Sequence, residues 1–191
     1  MIRILLPLAA LFTLSAAQAS DKAPEPEHPT NMELKALFEA DQAERKVAKI
    51  DWAKLEANDE ARRKRTRALM DTGALQSGDD YYHAAYIFQH GSEASDHLLA
   101  HVLAIAAMKR GRAKASWIAS ATLDRYLQSI GQPQIFGTQY SCRDGRPSMD
   151  LTDFNLVPDP VRTIVGVPVR SKQEEHGKFI CGTFAPSSPT K

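Results

Sequence analysis

The chain predicts a mainly α protein: an antiparallel helical bundle, closed by a loop-rich C-terminal cap with a small β-hairpin. Three observations carry that expectation. Apolar residues recur at helical spacing from about Asn31 to Ile130. Gly91, Gly111 and Gly131 fall at intervals of 20 residues, each where the C′ position of a helix belongs. From Gln132 onward the texture changes, and Pro133, Pro147, Pro158, Pro160 and Pro168 exclude long helices.

The first residues form a unit of their own. Met1-Ile2-Arg3 precedes an apolar run from Ile4 to Leu14, then the small-residue stretch ending Ala17-Gln18-Ala19. An A-x-A site after a short apolar run is the pattern of a secretory signal peptide over residues 1–19, with Ser20 as the mature N-terminus. The run is shorter than the roughly 20 residues of a spanning helix, so no membrane anchor is expected in the mature chain. Residues 20–30, with three prolines and alternating charge, read as a disordered leader.

A single domain is expected over 31–185, with a frayed tail over 186–191. A first helix starts near Asn31 with Leu34, Leu37 and Phe38 as its apolar stripe, and Asp41 and Arg45 continue that stripe at i+4 spacing. An acid and a base on an inward face form either an intrahelical ion pair at a bundle edge or part of a site. Asp51 caps a second helix to about Thr72, with Trp52, Leu55, Leu69 and Met70 inward and Gly73 as its stop. Asp79 or Asp80 caps a third helix to Gln89 or His90. Ser92 or Ser95 opens the fourth, and the fifth runs from about Ala113 to Ile130. The fourth is apolar nearly all round, which places it centrally. In the cap, Arg143-Asp144-Gly145-Arg146 is a turn signal. The β-rich runs Thr163 to Arg170 and Lys178 to Phe184 are expected to pair, the first as an edge strand because of Pro168. Short helices of similar length with small residues such as Ala100, Ala104 and Ala119 resemble tetratricopeptide-like helix pairs, without a true 34- to 36-residue repeat.

Charge narrows the partners. Once Arg3 leaves with the signal peptide, basic and acidic residues are equal in number. Neutrality supplies no attraction to nucleic acid, and none is expected as partner. The run Arg62-Arg63-Lys64-Arg65 with Arg67 spreads round a helix and reads as a solvated surface balanced by Glu56, Asp59 and Glu60. Cys142 and Cys181 are the only cysteines. In an exported chain an even count points to a disulfide. Closing that loop of about 40 residues stabilises by about 4 kcal/mol in the chain-entropy picture.

Polar groups inside helical stretches are costly unless they meet partners or a ligand. His90 ends its helix, where the dipole favours the imidazolium and raises its pKa. It either serves as an acid or base or satisfies the last carbonyls. His83 lies seven residues earlier on the same stripe, with Ile87 between. Asp124 and Arg125 point about 100° apart on a helix and need separate partners. Asp124 is placed to orient a histidine. Arg125 is placed to bind an anion or brace the cap. His97 and His101, one turn apart, form a weak metal pair that needs a third ligand such as His90, Asp96 or Asp124. The Glu of the zinc-protease helix motif is replaced by Leu98, and no metal or other cofactor is expected. Gly137-Thr138-Gln139 follows the fifth helix as a polar loop without a Gly-x-x-x-x-Gly-Lys cradle. The chain has no Gly-x-Ser-x-Gly elbow either.

The order Asp41-Gln42-x-x-Arg45, Gln89-His90, Asp124-Arg125, Gln134-x-Phe136-Gly137-Thr138-Gln139 and Asp159-x-x-Arg162 resembles a bacterial domain family of unknown function with a DQxxR…QH…DR…Qx(Y/F)GTQ pattern. The resemblance covers about Leu34 to Pro168 and implies no activity. It singles out Asp41, Arg45, Gln89, His90, Asp124, Arg125, Gln139 and Arg162. Two functions fit these residues. The first is an exported binding or interaction module of the cell envelope, periplasmic or secreted, with a polar groove for a peptide or small molecule. The second is a small exported, hydrolase-like enzyme with His90 as acid or base, Asp124 as its orienter and an arginine for substrate charge. A polar set that only fixes the packing of the bundle is the plain alternative.

Overall fold

The first three helices start where a short polar side chain catches the free amides of the first turn, and in a computed structural model covering residues 28–143, 146–149 and 151–183 those caps are visible. The signal-peptide segment, residues 20–27 and the 186–191 tail lie outside the described residues. The Asn31 side chain accepts from the Leu34 amide at 3.0 Å and opens α1 (Met32–Glu44). Asp51 does the same for α2 (Trp52–Asp71), which ends at Thr72 before Gly73 in the left-handed region, φ 70°. The cap of α3 (Gly78–Phe88) is Ser77, one turn earlier than Asp80. Asp80 sits instead at the third position and completes a reciprocal capping box. Its carboxylate also accepts from the Asn31 amide at 2.7 Å and so ties the start of α1 to the start of α3. α4 (Ala94–Lys109) and α5 (Ala115–Ser129) have no side-chain cap.

Consecutive helices are joined by short turns and run back along one another. On α4, His97 reaches Ser129 near the end of α5, whereas the later His101 reaches Ala119, which is an antiparallel register. α4 lies between α3 and α5, and alanines at 100, 104 and 107 let the three come close. The apolar core runs from Leu34 of α1 through Ile87 and Phe88 to Leu103 and Ile118. The outer face of α4 differs from expectation: Leu98, Val102 and Ile105 are 39%, 53% and 47% exposed, because the helix has neighbours on only two sides among the described residues. Trp52 likewise faces outward, on the first turn of α2. Gly111 and Gly131 adopt the left-handed C′ conformation. Gly91 does not; it is glycine because a Cβ there would overlap the Asp96 carboxylate.

The cap has its hairpin at a different place from the one expected. β1 (Ser141–Arg143) pairs antiparallel with β2 (Arg146–Ser148), flanking the turn signal, with Cys142 opposite Pro147. Neither run expected as a strand is one: Thr163 and Ile164 end α6 (Asp159–Ile164), residues 165–169 form a turn and an irregular connection, and residues 178–183 belong to α7 (Arg170–Thr183). Two forces override the β-branched content there. Pro160 suits the first turn of a helix. In α7, Gln173, Gly177 and Cys181 recur every four residues as a buried stripe that packs on the hairpin, and Gly177 leaves room for Pro147. Cys142 and Cys181 are joined by a disulfide that fastens α7 to β1.

Candidate functional site

Two buried polar clusters absorb most of the singled-out residues, and α5 supplies one to each. The first cluster is built on the loop after α5. Asp124 has no exposed surface. One carboxylate oxygen accepts from the amides of Ile135 and Phe136 at 2.8 and 3.0 Å, the other from the amide and hydroxyl of Thr138 at 2.9 and 2.7 Å. On the opposite side of the loop, the guanidinium of Arg162, 1% exposed, donates to the carbonyls of Ile135, Phe136 and Val157. Gln173 of α7 donates to the carbonyls of Phe136 and Gly137. Gln134 and Gln139 close the knot: the Gln139 amide donates to the Gln134 side chain, and the Gln139 side chain donates to the Ala121 carbonyl. An acid therefore collects the loop's donors and a base its acceptors. Gly137, at φ 64°, supplies the left-handed turn between them. This corrects the expected role of Asp124: its oxygens are taken by loop donors, and it orients no histidine. Arg162 and Gln139 are likewise structural, because their donors end on backbone carbonyls.

The second cluster lies where α1, α2, the end of α3 and α5 meet. Asp41, fully buried, accepts from Arg45 at 2.8 Å and from Gln42 at 2.6 Å. Arg45 also donates to Asp59 of α2 at 2.5 Å. Arg62 donates to the other Asp59 oxygen at 2.7 Å and to Glu44 at 2.9 Å, and its Nε lies 3.7 Å from Asp41. Asn58 donates to Glu44 at 2.8 Å. His90 Nε2 stands 3.7 Å from Asp41 and 3.4 Å from the Gln89 side-chain nitrogen. Arg63 donates to the His90 carbonyl at 3.0 Å and lies 3.7 Å from Asp96, so it holds the α3–α4 turn against α2.

Sequence reasoning missed Glu44, Asp59, Arg62 and Arg63. The basic run of α2 is a solvated surface only in part: Lys64, Arg65 and Arg67 are exposed, Arg65 pairing with Glu33 and Arg67 lying over the Phe88 ring at 5.2 Å, whereas Arg62 and Arg63 turn inward. A signal was present. The row Leu55, Asp59, Arg62, Thr66, Leu69 follows the i, i+4, i+7 spacing of a buried stripe, and its middle is polar.

Arg125 differs from every other cation of the cluster. It is half-buried, and among the described residues no carboxylate lies within ion-pair distance. Its Nε–H is buried without an acceptor. Burial lowers its pKa, and repulsion from Arg45 lowers it further. The same surroundings act on His90. Burial first, then Arg45 and Arg125, push it down to about 3, opposite to the rise expected from the helix end. His90 is therefore a neutral imidazole at ordinary pH. Burial raises Asp41 to about 6 despite Arg45 and Gln42.

The remaining histidines lie elsewhere. His97 has both ring nitrogens engaged, with Ser129 at 2.7 Å and the Gly91 carbonyl at 3.0 Å; His101 bonds the Ala119 carbonyl at 2.8 Å. Among the described residues no three His, Cys, Asp or Glu side chains are grouped to hold a metal ion, so the His97–His101 pair finds no third ligand. His83 stacks on Phe38 at 4.5 Å in an aromatic group with Tyr82 and Tyr86, and burial lowers its pKa.

Fold and site together define a helical-bundle protein with one saturated polar cluster and one in which a cation lacks an anion. No protein-family model, curated protein or solved structure matches the chain. No helix among the described residues is long and apolar enough to cross a membrane.

Proposed function

We propose that this is an exported bacterial binding module, periplasmic or secreted, whose ligand site is the Asp41–Arg45–His90–Arg125 cluster. One observation carries the reading: Arg125 has a buried Nε–H without an acceptor and no carboxylate partner, whereas Arg62, whose Nε is also unmatched, is held by Asp59 and Glu44. A cluster that served packing alone would be closed, as the Asp124 knot is, since an unpaired buried donor costs about 1–3 kcal/mol. A binding site keeps such a donor for its ligand. Export is supported by the leader over residues 1–19 and by the disulfide. The order of the DQxxR, QH and DR motifs agrees with this grouping, since all three contribute a side chain to the cluster. The ligand is a small molecule or the end of a peptide, because Arg45 and His90 keep only 20% and 19% of their side chains exposed.

The test is a thermal-shift screen of metabolites and cell-wall fragments on the purified protein and on Arg125→Met. Ligands that stabilise the wild type and leave the variant unmoved support the reading. A variant that keeps every ligand, or that loses much of its own stability, overturns it.

A second reading is a hydrolase-like enzyme. It is favoured by the contact between His90 and Asp41, two groups whose surroundings move their pKa values to about 3 and about 6. In that reading the acid–base partner of His90 is Asp41, in place of Asp124. Asp41→Asn then abolishes turnover of a hydrolysable ligand while leaving its binding in place.

A further inference from the structure

The charge arrangement of the cluster says more about the ligand. Facing Asp41 are Arg45 on its own helix, Asp59 and Arg62 from α2, and His90 from the end of α3. Glu44 is reached through Arg62. Arg125 of α5 lies one turn before Ser129, whose hydroxyl bonds the Arg125 carbonyl and meets His97. His97 in turn meets the Gly91 carbonyl beside His90, so α5 passes the His90 end of α3 at Arg125. All three carboxylates, Asp41, Asp59 and Glu44, bond to Arg45 or Arg62. None reaches Arg125. The positive charge without a counterion therefore sits on the α5 side of the site, beside a neutral imidazole that keeps one N–H to donate in either tautomer. The other imidazole nitrogen, Nε2, is met by the Gln89 amide NH2 at 3.4 Å, so the groups left over are donors, and a planar guanidinium is well matched to an oxyanion.

Resting on the binding reading above, we propose that the ligand carries a terminal oxyanion, carboxylate or phosphate, gripped by Arg125 with Arg45 and His90, and that one solvent proton enters with it at Asp41. The proton follows from charge balance. Empty, the cluster has three guanidiniums, Arg45, Arg62 and Arg125, against three carboxylates. An arriving anion leaves surplus negative charge in a poorly solvated place. Asp41 is the carboxylate with no access to water, the one for which neutrality costs least. Its raised pKa accords with that. Protonated on the oxygen that faces Gln42 and His90, Asp41 still accepts from Arg45 through the other.

Sulfate and acetate are the probes, because neither titrates between pH 6 and 8, whereas phosphate does; chloride at equal ionic strength is the control. The readout is the side-chain Nε–H resonance of Arg125, assigned by its loss in Arg125→Met. A saturable downfield shift with sulfate or acetate and none with chloride is expected. The better probe tells a phosphate-type from a carboxylate-type ligand. Affinity rises by up to about tenfold per pH unit as pH falls from 8 towards 6, and this dependence disappears in Asp41→Asn. If that variant does not fold, the wild-type slope alone decides. An Arg125 resonance that ignores both anions, or moves equally with chloride, overturns the oxyanion. An affinity flat with pH overturns the coupled proton. Should both anions fail while a neutral ligand from the screen still depends on Arg125, the binding module stands and only its ligand class falls. If no ligand of any class depends on Arg125, both fall.

Discussion

The two polar clusters use the same residue types and reach opposite ends. Around the loop over residues 134–139, Asp124 collects four donors and Arg162 collects carbonyls, and both charges are spent on that one loop, 11–14 residues along the chain from Asp124 and 26–27 from Arg162. Around Asp41, side chains from four segments meet, and Arg45 and Arg62 take all three carboxylates, so that Arg125 has no ion-pair partner. Adjacent residues of one helix, Asp124 and Arg125, belong to the two different systems. The contrast teaches that burial of charge by itself does not mark a site. What separates site from scaffold is whether the polar atoms are all matched.

The largest effect that would break this contrast concerns Asp124. Asp124→Ala leaves three amides and a hydroxyl buried without an acceptor and lowers unfolding free energy by about 4 kcal/mol; urea denaturation measures it. A loss below 1 kcal/mol would mean that the knot is not what holds the cap. Next comes a paired comparison of the two arginines. Arg162→Met strands the loop carbonyls and costs about 3 kcal/mol. Arg125→Met removes a repelled cation and changes stability by no more than about 1 kcal/mol. Equal losses in the two variants would erase the distinction between closed and open clusters.

A smaller effect sharpens the electrostatics of the open cluster. His90 titrates lower when folded, so its contribution is present above the unfolded value of 6.5 and lost as pH falls toward about 3. Asp41 titrates higher when folded, so its contribution is present below the unfolded value of 3.8 and lost as pH rises through about 6. Between pH 7 and 5 the two oppose. Removing one exposes the other: His90→Gln becomes more stable on acidification by about 1 kcal/mol, and Asp41→Asn less stable by about 2 kcal/mol. Thermal melts at the two pH values check the signs. The smallest effect is at Arg65→Ala, which breaks an exposed pair with Glu33 and leaves the melting temperature unchanged.

Much of the helical half was legible because local chemistry decides it. Asn31, Asp51 and Gly73 set boundaries through bonds to neighbouring amides and through backbone freedom, and such signals lie within a few residues of the feature they cause. The disulfide was legible from compartment and count. The hairpin was misplaced because Thr163 to Arg170 carries β-branched residues, while the deciding force, the stripe Gln173, Gly177, Cys181 against the hairpin, is tertiary. The site was half legible. Asp41, Arg45, Gln89, His90 and Arg125 do gather near one another. Asp124, Gln139 and Arg162 share the same motif texture and belong to the scaffold, since a motif records a constraint without saying whether ligand or backbone imposes it. Asp59 and Arg62 sat in a run of charge, and only the spacing of their row with Leu55, Thr66 and Leu69 marked the inward face.

One feature of α2 bears on how the molecule holds itself together. This helix buries Leu55 and Leu69 at its two ends and, between them, Asp59, Arg62 and Thr66; the rest of its grip on α1 and the α3–α4 turn is ionic, through Glu33, Arg45, Glu44 and Arg63. Adhesion of that kind does not fade in the cold, as oily contacts do. It answers to brine: dissolved ions compete for its outer pairs and spare the buried ones. Salt therefore loosens the exposed Arg65–Glu33 clasp between α2 and α1 first and leaves the buried Arg45–Asp59–Arg62 pairs in place.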